Sequence, residues 1–178
     1  MSEMKIELIR LVGSYALGLV MKHCWGAFSI PPKHRLYASN DSILEVEEFL
    51  ALCEIPRSVA MQLETHKKKH RFYCWMYTAR PDLPNLAKGE YSRDQMIHLA
   101  MVFTPRAIIE ISHYRMCGKA EDKTREFMRL LRKEVERIEP ELARQMMPMC
   151  AFRNGLCTEM HGCGHPMTYE QGKKLEGE

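Results

Sequence analysis

Hydrophobic and polar positions change their period several times along this chain, and each change predicts an element. The residues KIELIRLV at 5–12 alternate loosely, which is typical of a strand. Apolar runs at 49–54 and 96–103 predict two further strands. Pro56 follows the first of these runs and predicts a helix start. Backbone N–H groups in the first turn of a helix have no partner within it, so a proline, which has no N–H, is tolerated there.

Helical periodicity is clearest after Gly118. Apolar residues recur at helical spacing from Ala120 to Ile138, opposite a face of Lys, Arg and Glu, and this pattern predicts a long amphipathic helix that serves packing. A shorter helix is predicted at 141–146, and an apolar helix at 15–24.

The stretch from Thr104 to Arg125 carries three arginines, at 106, 115 and 125. Pro105 and Gly118 predict a helix that runs from about 105 to 117. Arg106 lies near its start, where the helix dipole disfavours cations. An anionic ligand at the same N-terminus would explain this cation, because backbone amides point outward there. The alternative is a surface helix with three solvated arginines.

Length and composition limit the classes of protein to which this chain can belong. A chain of 178 residues suits one domain, and 46% hydrophobic with 28% charged residues excludes a disordered chain. The net charge of +3 is too small to imply nucleic-acid binding, so a nucleic-acid partner is not expected. No apolar run reaches the roughly 18 residues of a membrane span, and the N-terminus lacks a signal-peptide core. We therefore expect a cytoplasmic protein.

Seven cysteines, an odd number, favour reduced thiols in a chain that is not secreted. Four of them are expected to behave as small hydrophobes, because their surroundings are apolar or helical. The other three lie near the C-terminus with two histidines, at spacings that match no common zinc framework. We therefore predict reduced thiols and no metal site, with a four-ligand zinc site in this tail as the alternative. The first four are Cys24, Cys53, Cys74 and Cys117, and the C-terminal residues are Cys150, Cys157, His161, Cys163 and His165.

The stretch 104–125 resembles the signature helix of the flavin-dependent thymidylate synthases, N-x-R-S-x-x-x-F-x-x-x-R-x-x-x-x-A-Q-x-x-x-R. Thr104 takes the place of the Asn, and Arg106 that of the first Arg. Arg115 and Arg125 fall in register without a gap, whereas Glu121 replaces the Gln.

A second stretch is similar to the same family. Ser42 and Glu45 match its H-x-S/T-x-x-E-H element, although both histidines are replaced. Gln62 falls on the Gln of the family's Q-x-x-R-H-R helix, and Thr65-His66-Lys67 occupies its R-H-R slot. Lysine there keeps the charge but loses the planar fork that binds phosphate bidentately.

The following loop departs from the family. Thr78-Ala79-Arg80 can serve as its phosphate-binding S-x-R, but only with a few residues inserted after Lys67. Alternatively Lys69-His70-Arg71 is the R-H-R element, and Arg80 then falls one residue short. The family's Asn-Glu pair is missing in both registers. The aromatic run at 72–77 either stacks on a flavin or pyrimidine ring or belongs to the core.

The resemblance implies an α+β fold in which an antiparallel sheet packs with helices. We expect a single domain over 1–167 and a frayed tail at 168–178. The family makes dTMP from dUMP by reductive methylation, with methylenetetrahydrofolate and FADH2, and NADPH is its usual reductant. The resemblance also implies a homotetramer with FAD as its cofactor. The sites of such a tetramer lie between subunits.

The resemblance also implies roles for single residues. Arg115 is the expected catalytic residue, because it would contact the pyrimidine and stabilise negative charge there. Gln62, Thr78 and Arg80 would bind the nucleotide. A carboxylate at Glu110 would repel a flavin pyrophosphate. The residues expected around the flavin are Ser42, Glu45, His66, Lys67, Thr104, Arg106 and Glu110.

Two alternatives remain open at the level of sequence. The lost Asn-Glu pair motivates a relative with changed chemistry on another pyrimidine nucleotide. The basic patch from Lys67 to Arg71 motivates a non-catalytic module that binds nucleotides or nucleic acid, with strongly salt-dependent affinity.

Overall fold

The structure is a computed structural model. It describes residues 4–13, 37, 42–66, 72–77, 92–157, 160, 162 and 163. The strands are β1 (Lys5–Val12), β2 (Glu48–Pro56), β3 (Phe72–Tyr77) and β4 (Met96–Phe103), and a short 3-10 turn spans Ser42–Glu45. The helices are α1 (Arg57–Glu64), α2 (Pro105–Arg115), α3 (Asp122–Ile138), α4 (Pro140–Gln145) and α5 (Met149–Phe152).

The chain divides into two compact units, Met1–Ala107 and Ile108–Glu178, and the boundary falls inside α2. The first unit holds a four-stranded sheet in the order β1-β2-β4-β3, and every neighbouring pair is antiparallel. The second unit is helical in the residues described. The prediction of a single domain over 1–167 stays a prediction.

One face of the sheet forms the core of the first unit, because side chains alternate between the faces along each strand. Phe103 of β4 lies opposite Phe49 of β2 and Phe72 of β3, so three phenylalanines form a row across three strands. The Phe49 and Phe103 rings stack with centroids 5.8 Å apart. All three are fully buried, together with Ala51, Ile55, Leu99 and Met101.

Helix α1 packs against β2 and β4. Val59, Ala60 and Leu63 are its buried apolar residues. Its first amides bond outside the helix, where Arg57 N–H donates to Gln95 O at 2.8 Å and Ser58 N–H to Arg93 O at 2.9 Å. The helix is therefore anchored to the segment that leads into β4, and the predicted combination of antiparallel sheet and packed helix is confirmed.

The second unit is built on the apolar stripe of α3. Phe127, Met128, Leu131 and Val135 recur at helical spacing and are fully buried. Helix α4 contacts α3 and buries Leu142 and Ala143. The stripe that was predicted from the sequence is therefore the packing face, although α3 begins at Asp122 rather than at 120.

Most predicted elements are confirmed, and β4 has the predicted bounds. Helix α2 ends at Arg115, two residues before the predicted end. The aromatic run at 72–77 was not predicted as an element, and it forms β3. The helix predicted at 15–24 lies outside the described residues. Among the residues described, no helix has the length and hydropathy needed to cross a membrane.

Candidate functional site

The start of α2 is capped by its own sequence. Ala107 N–H donates to Thr104 Oγ1 at 3.3 Å, and Thr104 is almost fully buried. Pro105 occupies the first helical position and has no N–H. The Ala107 amide is therefore already used by the cap and is not an outward donor for an anion.

Arg106 is held by a carboxylate from the 3-10 turn. Its Nη1 lies 3.5 Å from Glu45 Oε1, and each side chain is about a third exposed. Such a partly solvated pair contributes about 0–1 kcal/mol, so its main effect is on the orientation of the guanidinium. Two residues predicted for the flavin site are thus brought together by the fold.

His66 follows the end of α1 and is 9% exposed. Its N–H donates to Leu63 O at 3.0 Å, which continues the helical turn. Gln62 is half-buried one turn earlier, and its carbonyl accepts from Thr65 Oγ1 at 2.8 Å. The fold therefore fixes the backbone of both predicted residues at the C-terminal end of α1.

Some of the predicted site residues lie outside the part of the chain that the structure describes. Lys67, Thr78 and Arg80 lie outside the described residues, as does the side chain of Ser42, whose backbone belongs to the 3-10 turn. Glu110 is half-buried on α2, within the second unit.

Arg115 is the last residue of α2, where a cation complements the helix dipole. Burial lowers the pKa of its guanidinium, but an arginine starts so far above neutrality that the charge is kept. Arg115 lines a cavity of about 360 Å³ in the second unit, together with Lys119 and Arg153. Three cationic side chains in a cavity large enough for a small ligand suit an anionic occupant.

His113 lines the same cavity and was not identified from the sequence. It is 5% exposed, its ring lies 4.7 Å from that of Phe152, and its Nε2 is buried without a hydrogen-bond partner. Burial lowers the pKa of His113, Glu110 raises it and Arg153 lowers it. The imidazole is therefore neutral at pH 7. A buried nitrogen is costly unless a ligand or a water meets it, so this one can receive a group bound in the cavity.

Four thiols also line the cavity: Cys117, Cys150, Cys157 and Cys163. Burial raises the pKa of Cys150, the Ala151 N–H lowers it, and the other three thiols raise it by repulsion between thiolates. The expectation that Cys117 is a small hydrophobe within the helix is wrong, because α2 ends before it and the side chain is half-buried at the cavity. Within the described ranges, no group of three or more His, Cys, Asp or Glu could hold a metal ion as it stands.

Comparisons with known proteins bear on the fold. No protein-family model matches the chain, and no curated protein matches it in sequence. Among solved structures, the chain is similar to thymidylate synthase X (ThyX) from Helicobacter pylori with FAD and dUMP, at a TM-score of 0.59 and 12% identity. The match covers 80% of this chain and 97% of that one. At this identity the likeness shows the fold alone, and the predicted ThyX-like α+β fold is confirmed.

Proposed function

We propose that this chain is a flavin-dependent thymidylate synthase-like enzyme, which converts dUMP to dTMP with methylenetetrahydrofolate, FADH2 and NADPH. One observation carries the proposal: the fold matches 97% of a protein whose structure holds FAD and dUMP. The stretch 104–125, whose sequence resembles the family's signature, contains α2 and the start of α3, with Arg106 in the first turn of α2 and Arg115 as its last residue.

The residues near the start of α2 have the chemistry to hold FAD. A guanidinium binds phosphate through two parallel hydrogen bonds, and Arg106 presents one that Glu45 orients. Thr104 is the buried cap that holds the start of α2, and His66, which would add an imidazole, is assigned to the same site by sequence register. The Glu45 carboxylate is offset by Arg106 itself, so the donor set fits a flavin dinucleotide. The proposal adds Ser42, Lys67 and Glu110 to the residues around it. Bound flavin, once NADPH has reduced it to FADH2, would supply the reducing electron pair, and the chain would supply orientation and charge.

Arg115 is the proposed catalytic residue. Its guanidinium is partly desolvated and keeps its charge, so it can stabilise negative charge on a pyrimidine carbonyl oxygen more strongly than a solvated cation would. Gln62 is proposed to hydrogen-bond the nucleotide, and Thr78 with Arg80 to hold its phosphate. These assignments follow the sequence register.

The proposal includes a cytoplasmic homotetramer whose sites draw on several subunits. The sheet supports self-association, because its outer face exposes Ile9, Leu11 and Leu52 by 39%, 49% and 41%. Exposed apolar residues clustered on one face are typical of an interaction surface.

A second candidate function is the same fold with changed chemistry on another pyrimidine nucleotide. The observation that favours it lies in the sequence, where the stretch 68–80 lacks the Asn-Glu pair of the family. A site without these two polar groups would select its nucleotide through other contacts.

Turnover tests the proposal. The purified chain should carry flavin absorbance and release the C5 proton of dUMP, and release should require both methylenetetrahydrofolate and NADPH. Arg115→Ala should lower this rate by about 10²–10³-fold, the usual loss when one charge-stabilising group is removed. Arg137→Ala is the matched control, because Arg137 is a mostly exposed cation that pairs with Glu134 on α3.

The outcomes separate the candidates. Turnover with a different pyrimidine nucleotide, but not with dUMP, would favour changed chemistry. A colourless protein without turnover on any pyrimidine nucleotide would overturn both candidates and leave a non-catalytic binding module. Unchanged turnover in Arg115→Ala would remove that residue from its assigned role.

A further inference from the structure

We propose that Cys117, Cys150, Cys157 and Cys163 bind one Zn²⁺ ion. The four thiols line a single cavity of the second unit. They come from three parts of the chain, because Cys117 follows α2, Cys150 lies in α5, and the other two lie beyond α5. A tetrahedral set of four thiolates is a common structural zinc site. The inference does not depend on the proposed enzymatic function.

The backbone between Cys150 and Cys157 forms a tight left-handed turn. Asn154 and Gly155 have φ of 51° and 93°, and the second value favours glycine. Gly155 N–H donates to Cys150 O at 2.7 Å, and Leu156 N–H donates to Arg153 O at 3.0 Å. The turn ends α5 and reverses the chain, so that Cys157 returns to the cavity that Cys150 lines.

The charges around the cavity suit a zinc–thiolate centre. Binding of Zn²⁺ by four thiols releases four protons and leaves a site with two net negative charges, with no change of oxidation state. Arg115, Lys119 and Arg153 line the same cavity and offset this negative charge.

His113 provides an independent sign of a missing ligand. Its ring is buried among the residues of the same cavity, and its Nε2 has no hydrogen-bond partner. A zinc-bound thiolate sulfur accepts hydrogen bonds, so an Nε2–H tautomer would donate to it. Groups of this kind around a metal commonly change its affinity by about 10–100-fold.

The thiols do not stand in ligand geometry, so the ion must draw them together. All four cysteines are free thiols, as metal binding requires. The sequence alone argued against a metal, because the three C-terminal cysteines match no zinc spacing. Cys117 is separated from them by α3 and α4, and only the fold adds it to the set.

Metal titration of the full chain tests the site. The reduced protein is stripped with a chelator and titrated with Zn²⁺, and in parallel with Co²⁺, whose visible spectrum reports tetrahedral thiolate ligands. We expect one ion per chain and thiolate–cobalt charge-transfer bands. Replacing any one of the four cysteines by serine should weaken Zn²⁺ binding by more than about 100-fold. Loss of a metal ligand costs more affinity than loss of a group that only hydrogen-bonds to a ligand. The variants are C117S, C150S, C157S and C163S. His113→Phe should weaken it by about 10–100-fold.

Cys53→Ala is the control, because Cys53 is buried in the sheet and does not line the cavity. This variant should bind one ion with unchanged affinity. Binding of less than one equivalent to the wild-type chain, or equal loss in Cys53→Ala, would overturn the proposal. Thiol titration in denaturant should find all seven cysteines, and a count of five would overturn it in favour of a disulfide. None of these readouts uses turnover, so the site can fail while the proposed enzyme stands.

Discussion

At the scale of single residues, Cys53 links burial to the pH dependence of stability. The thiol lies in the core of the sheet, and burial raises its pKa from 9.0 to about 12. In the unfolded chain the same thiol loses its proton near pH 9, whereas the native chain keeps it. The unfolded state therefore binds fewer protons between pH 9 and 12, and the free energy of unfolding falls as pH rises through this window.

We predict that Cys53→Ala loses about 1 kcal/mol of stability at pH 7, because it leaves a small cavity. The difference from wild type should shrink above pH 9 by up to about 1.4 kcal/mol per pH unit, because alanine has no proton to lose. Urea unfolding of both proteins at pH 7, 9 and 10 measures this difference in the free energy of unfolding. Taking the difference between the two proteins removes every other group that titrates in this range. A difference that stays constant with pH would show that Cys53 is not desolvated in the native state.

The residues of the site differ in how far the sequence reveals them. Glu45 and Arg106 were identified from sequence register, and the fold pairs them at 3.5 Å. His113 and Cys117 were missed, because their importance rests on a shared cavity. Cavity membership depends on how distant segments pack, and local sequence carries no signal of it. For His113 one hint existed, since it follows the buried Ile109 by one helical turn.

At the scale of elements, the start of α2 depends on one hydroxyl. Thr104 Oγ1 accepts from Ala107 N–H, and the residue is 1% exposed. Thr104→Val keeps the shape but removes the acceptor, so a buried amide loses its partner. We predict a loss of about 1–2 kcal/mol in the free energy of unfolding, the usual cost of losing an N-cap. Urea titration monitored by circular dichroism measures it.

Thr65→Val is the matched control for this cap. Thr65 is exposed, and its Oγ1 donates to a carbonyl of the preceding helical turn. Water can replace that donor, so we expect a change within about 0.5 kcal/mol. Equal losses in the two variants would show that the hydroxyl of Thr104 has no special part in starting α2.

Elements with a clear period or a bounded apolar run could be predicted, but β3 was not. The buried stripe of α3 and the loose alternation of β1 are written in the sequence, and β4 was predicted as an apolar run. β3 reads FYCWMY, an almost uninterrupted apolar run without alternation. Its strand conformation is decided by pairing with β4, in which Phe72 lies opposite Phe103. Pairing between distant segments lies beyond any local window.

At the scale of the whole molecule, the fold is similar to that of a protein whose sequence is very different. At 12% identity no family model matches, yet the solved ThyX structure is covered over 97% of its length. A core requires apolar residues of suitable volume at alternating positions, and many sequences meet that requirement. Contacts to a ligand require particular side chains. Fold could therefore be predicted from the resemblance, whereas the choice of ligand could not, and the sequence at 68–80 differs from the family pattern.

The outer face of the sheet gives a test of assembly. Lys5 pairs with Glu54 at 3.6 Å on this face, and in the same register Glu7 lies opposite Leu52 and Ile9 opposite Leu50. An apolar patch therefore lies next to a charged rim, which is the composition of a protein interface. If the patch joins subunits of the proposed tetramer, a carboxylate at its centre would be buried without a partner, at a cost of several kcal/mol.

We predict that Leu52→Glu shifts the chain from a tetramer to smaller species. Size-exclusion chromatography with light scattering measures this, against a chain mass of 20.8 kDa. Met61→Glu is the control, because Met61 is 52% exposed on α1 rather than on the sheet. It should assemble as the wild type does. If wild type is a monomer, or if the two variants behave alike, the apolar face does not join subunits. Sites that need several subunits would then be excluded for this chain, while a site within one subunit would stand.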